Sequence, residues 1–148
     1  MKNVYRPTRY YIVCVIALMA GMRQGEIMGL RWSNIDFKNR IIFIRQMLTY
    51  TGQIKVGVKN NASIRHVHFP IKLIEELEVH RETIKKERLY HGRDYEDNDL
   101  VTCTRKGRPL IPRNGRIKFN NLTKPSDYQR YVFTTYVIHT RLCSYSKT

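Results

Sequence analysis

In the stretch Gly21-Met22-Arg23-Gln24-Gly25-Glu26-Ile27-Met28-Gly29-Leu30-Arg31-Trp32, an arginine sits between two glycines where an apolar run ends and a second short helical pattern starts. Arginine at such a point is not core filler, because an unpaired charge is too costly to bury. A guanidinium whose backbone is fixed by a turn is a ready fork for a phosphate or a carboxylate. The chain as a whole carries a formal charge of +15, which favours phosphate.

That charge comes from 27 Lys and Arg residues set against 12 Asp and Glu residues in 148 residues. Such a balance suits a polyanion, with DNA or RNA the usual one. No segment combines a strong apolar face with a Lys-rich face, so a membrane-surface role has little support. Hydrophobic residues make up 42% and charged residues 26%, which reads as one globular domain with a real core. Cys14, Cys103 and Cys143 are odd in number and widely spaced, suggesting neither zinc nor a disulfide framework, and hence a reduced, cytoplasmic setting. The apolar run from Tyr10 to Met22 is too short to span a bilayer and reads as a buried helix.

The elements that must hold Arg23 follow from the pattern around it. Thr8 is placed to cap a helix over Arg9 to Ala20, and Gly21 ends it. Gln24 to Leu30 is a second, short helix, and Trp32 to Phe37 a turn leading into a strand. Arg40 to Thr49, Ile54 to Val58 and Ile64 to Phe69 predict three antiparallel strands in a consecutive meander. Leu73, Ile74, Leu77, Ile84 and Leu89 recur at helical spacing, so Ile71 to Tyr90 is an amphipathic helix. A polar loop, an extended piece over Leu100 to Thr104, a turn at Lys106 to Pro109 and a helix over Arg113 to Leu122 complete the predicted order. After Thr123 the pattern dissolves.

These residues resemble the catalytic domain of the tyrosine recombinases, the phage and transposon integrases. The likeness lies in YYIVCVIALMAGMRQGEIMGLRWSNIDF, in VKNNASIRHVHFP and in DLVTCTRKGRPLIPRN, and spans residues 10–123. It implies an α+β fold, a helical body carrying a small three-stranded antiparallel sheet. It also implies site-specific DNA recombination: a tyrosine attacks a DNA phosphate to form a 3′-phosphotyrosyl link, with double-stranded DNA and other integrase protomers as partners. Neither metal, cofactor nor small-molecule substrate is implied. By the resemblance Arg23 is the first catalytic arginine and Lys59 the catalytic lysine of the sheet hairpin. Glu26, one helical turn on, would orient the arginine fork. Arg65, with Asn60 and Ser63, falls at positions that contact the DNA backbone. The family's usual Pro-Lys-Thr-Lys run reads Val58-Lys59-Asn60-Asn61 here, so a neighbouring cation is missing. His66 and His68 share one face of a strand, more consistent with a DNA-facing or solvated strand than with a metal.

The family next requires His-x-x-Arg, a second histidine or tryptophan, and the nucleophilic tyrosine. None of the five histidines has an arginine three residues on. Codons built from the last base of each residue's codon and the first two of the next nevertheless allow Tyr131 to Thr140 to be read as R-F-H-D-L-R-H-T-H, the missing box. From Thr123 the same rule permits K-A-x-G-L-P ahead of it. The existing residues dictate two of three bases in every shifted codon, so a frameshift near Thr123 is expected, with residues 124–148 a tail outside the family pattern. Tyr136 and Tyr145 are then out-of-frame residues. On this reading the chain is a truncated, catalytically inactive remnant that retains DNA binding; the alternative is a non-enzymatic basic DNA-binding module.

Overall fold

The computed structural model describes residues 9–57 and 65–112, so Thr8, Lys59, Asn60, Ser63 and the expected helix over Arg113 to Leu122 lie outside the described residues. Helix α1 runs Arg9–Ala20, α2 Gln24–Met28 and α3 Lys72–His91. The strands are β1 Ile35–Asp36, β2 Ile41–Ile44, β3 Gln46–Leu48, β4 Ile54–Val56 and β5 Arg65–His68. This is the expected α+β class. The two long helices begin and end within a residue of the sequence expectation, because apolar spacing and the flanking Gly21 and Pro70 define them well.

The sheet is three-stranded and antiparallel, but its strands are not the expected consecutive meander. Its order is β1-β2-β5, while β3 and β4 form a separate hairpin. The predicted strand over Arg40 to Thr49 is broken at Arg45. There the Arg45 carbonyl accepts the Gly57 N–H at 2.7 Å. A Cβ on Gly57 would lie 2.9 Å from that same oxygen, so the close approach needs glycine. Ahead of the break, β2 pairs with β5 in the register Ile42 to Val67 and Ile44 to Arg65. Beyond it, β3 turns toward α2, where the buried Gln46 donates from Nε2 to the Gly29 carbonyl at 2.6 Å.

The glycines of the arginine stretch serve two different needs. Gly21 has φ +62°, the left-handed conformation that closes α1. Gly25 and Gly29, one helical turn apart, let α2 lie directly on the β3 backbone. A Cβ at Gly25 would meet the Leu48 carbonyl oxygen at 2.8 Å, and one at Gly29 would meet the Leu48 nitrogen at 2.9 Å. Main-chain atoms cannot swing aside as a flexible side chain can.

The core gathers Ile12, Val13 and Ile16 of α1, Ile27 of α2, Ile42 of β2, and Leu73 and Leu77 of α3. Polar ties close its margins. Arg9 pairs with Glu87 across α1 and α3 and donates to the Cys103 carbonyl at 2.6 Å. Asp99 accepts the Trp32 N–H through its carbonyl at 2.9 Å and the Ser33 N–H through its carboxylate at 3.1 Å. His80 Nε2 lies 2.7 Å from the Val101 carbonyl, which requires the ring to donate there. None of the helices among the described residues is long and apolar enough to cross a membrane.

Two predictions follow from the packing. Gly29→Ala forces α2 off β3 and is expected to cost about 1–3 kcal/mol in chemical denaturation; an unchanged midpoint would show that α2 has room to move. His80 gives the second: burial, the largest influence, holds its ring below the ordinary 6.5, while the Val101 bond opposes. The unfolded chain therefore takes up a proton near 6.5 that the folded chain accepts only at lower pH. Stability from the neutral ring is present above that range and lost as pH falls through the folded value. Denaturation midpoints measured from pH 7 to 5 are expected to fall, and His80→Gln, which keeps a donor for Val101, is expected to flatten that decline.

Candidate phosphate-binding site

Arg23 is the residue from which α2 starts, with extended backbone at φ −73° and ψ 148°. The Glu26 side chain turns back and accepts the Arg23 N–H through Oε2 at 2.9 Å. This is the reciprocal half of a capping box and satisfies a donor that the helix itself cannot. An arginine side chain has no acceptor with which to cap in return. Its guanidinium instead approaches the same carboxylate, Nη1 to Oε1 at 3.4 Å. One carboxylate thus fixes both the backbone and the side chain of Arg23.

The second guanidinium comes from the sheet. Arg65 opens β5 opposite Ile44 of β2, on the face that also carries Val67 and the fully buried Ile42. From there Nη2 reaches Glu26 Oε2 at 2.8 Å. Glu26 is 39 residues away in the chain, and its side chain is only 9% exposed. Two positive forks therefore share one negative group, leaving the cluster net positive. The Arg23 and Arg65 side chains are 44% and 46% exposed. A carboxylate so nearly buried between two cations keeps the forks apart and aimed. The anion best matched to two adjacent planar forks is a phosphate or phosphodiester.

Of the candidates from the sequence, Arg23, Glu26 and Arg65 come together, while Lys59, Asn60 and Ser63 fall outside the described residues. The resemblance makes Arg65 a contact to the DNA backbone; the structure adds its ion pair with Glu26. Strand alternation held the signal: Arg65 and Val67 share a side, and an apolar Val67 belongs toward the core. His66 and His68 lie on the opposite side with their rings edge to face, centroids 5.7 Å apart. No group of three or more metal-ligating side chains occurs among the described residues.

The sequence model of the phage integrase family matches residues 1–140 of this chain. A tyrosine recombinase XerC-like protein of Caldanaerobacter subterraneus subsp. tengcongensis is 30% identical over 106 residues, covering 64% of this chain. The chain spans about a quarter of that relative's length, 27%. Among solved structures, the Tn1549 transposon integrase in complex with transposon right end DNA superposes with a TM-score of 0.63 at 18% identity, covering 99% of this chain and 49% of that one. The same integrase in complex with a circular intermediate DNA gives a TM-score of 0.62, with the same identity and coverage. With the arginine-box helix, the small sheet and the family match all in place, the chain belongs to the phage integrase family of tyrosine recombinases.

Proposed function

We propose that this chain carries the first half of a site-specific recombinase active site and grips a phosphodiester of duplex DNA through Arg23 and Arg65. The observation that carries this reading is the shared Glu26 carboxylate, which presents two half-exposed guanidiniums side by side. A phosphodiester accepts hydrogen bonds from both forks without any base being read, so the contact positions the duplex rather than specifying its sequence. By the resemblance Lys59, Asn60 and Ser63 add to the grip on the DNA backbone, Lys59 at the position from which an intact recombinase protonates the leaving oxygen. The complexes of the Tn1549 integrase with transposon right end DNA and with a circular intermediate DNA support DNA as the partner.

Residues 124–148 limit the chemistry. The box that reads R-F-H-D-L-R-H-T-H in the shifted frame is not translated here, and strand cleavage needs a second arginine and a histidine around the same phosphate as the tyrosine. The function proposed for this chain is therefore duplex binding without cleavage, in a protein of the DNA recombination and integration machinery of a mobile element. Reading the genomic locus downstream of codon 123 tests the frameshift: an uninterrupted alternate frame encoding the box is expected, and stop codons there would remove it.

The binding reading has its own tests. Arg23→Ala is expected to weaken duplex binding about tenfold, uniformly across sequences, and to lower the dependence of log K on log salt by about one. On a nicked suicide duplex, no covalent protein–DNA adduct is expected; an adduct that disappears in Arg23→Ala would instead make the chain a working recombinase. Glu26→Gln keeps the shape but removes the charge that holds both forks. It is expected to weaken duplex binding several-fold and to cost about 1 kcal/mol in denaturation through the weakened cap. Unaltered DNA affinity in Glu26→Gln would show that the forks need no common carboxylate.

A further inference from the structure

The sheet has a second face that the arginine pair does not use. Side chains alternate along β2 and β5, so with Ile42, Ile44, Arg65 and Val67 toward the body, Ile41, Phe43, His66 and His68 stand on the other side. Phe43 is directly opposite His66 in the ladder, and Ile41 is opposite His68. The His66 and His68 rings meet edge to face at 5.7 Å. The Arg45 guanidinium lies over the Phe43 ring, 5.6 Å from its centroid. Arg45, His66 and His68 are exposed and Phe43 is half-buried. Four side chains with flat π or guanidinium surfaces thus share this face, Arg45 over Phe43 and His66 against His68, with Phe43 and His66 paired in register across the strands. Asp36, one strand further on beside Ile41, is the acidic group bordering this strip, and its carboxylate is engaged by the Asn39 side chain at 2.7 Å.

A solvent-facing histidine pair, a phenylalanine and an arginine are an odd choice for a sheet surface whose only need is solubility. Threonine or lysine would meet that need at less apolar exposure. The combination is well suited to unpaired bases, because each base has a π face that stacks on an aromatic or guanidinium plane whatever its identity. Arg45 adds the positive charge that attracts the phosphate backbone, and in a chain of net charge +15 a polyanion is the complementary occupant. We propose that Arg45, Phe43, His66 and His68 form a stacking platform for single-stranded DNA, on the face of the sheet opposite the Arg23–Glu26–Arg65 cluster. Because the two surfaces lie on opposite faces of β5, one can fail without the other.

The test uses the full chain and two fluorescein-labelled probes, an oligo-dT strand and a blunt duplex, read by anisotropy. The double variant His66→Ala/His68→Ala removes exposed rings and leaves the core face intact. It is expected to weaken oligo-dT binding at least about five-fold while duplex affinity holds. His66→Phe, which restores a stacking surface without a titratable ring, is expected to keep oligo-dT affinity within about two-fold of the parent chain. Arg23→Ala is expected to show the reverse pattern, losing duplex and retaining oligo-dT. No measurable oligo-dT binding, an unchanged affinity in the double histidine variant, or an equal loss on both probes would each overturn the platform.

Discussion

The candidate site depends on a single carboxylate. Glu26 is nearly buried, and it is bound by the backbone N–H that starts α2, by the Arg23 side chain and by Arg65 of the sheet. A buried carboxylate is tolerated only when its charge and lone pairs are met, and here both are met by the groups that face the solvent beyond it. The arrangement couples local and distant structure. The helix start sets Arg23, the strand register sets Arg65, and Glu26 makes the two positions interdependent. A one-residue slip of β5 against β2 would turn Arg65 to the outer face and leave Glu26 with one guanidinium.

The rest of the architecture serves to bring α2 against the sheet at close range. Gly25 and Gly29 remove the Cβ atoms that would hold the helix off β3, and Gln46 ties the strand to the end of that helix. The bend at Arg45 then divides one apolar run into two strands with different partners. Before the bend the chain builds the sheet that carries Arg65; after it the chain lies under the helix that carries Glu26. The two halves of the cluster thus approach each other because the strand breaks where it does.

Much of this was legible in the residues, and the misses have definite causes. The long helices were readable from apolar spacing and from Gly21 and Pro70, which punctuate them. Arg23 stands out because an arginine between two glycines at a helix end has no core role, whereas Glu26 is marked only by the family resemblance. The sheet order departs from the expected meander because Arg40 to Thr49 is β-prone throughout, and nothing local announces that the Arg45 carbonyl will be taken by Gly57. The role of Gly25 and Gly29 was also hidden, since a glycine chosen for close approach looks like one chosen for a turn until its neighbour is known. The link between Arg65 and Glu26 spans 39 residues and needed the β2–β5 register.

A double-mutant cycle on duplex affinity addresses the central claim most directly, with Arg23→Ala and Arg65→Ala made singly and together. If both guanidiniums grip the same phosphodiester, the double variant loses measurably less than the sum of the single losses, with a coupling above about 0.5 kcal/mol. Strictly additive losses, or single variants that bind duplex as well as the parent chain, would contradict a shared phosphate between them.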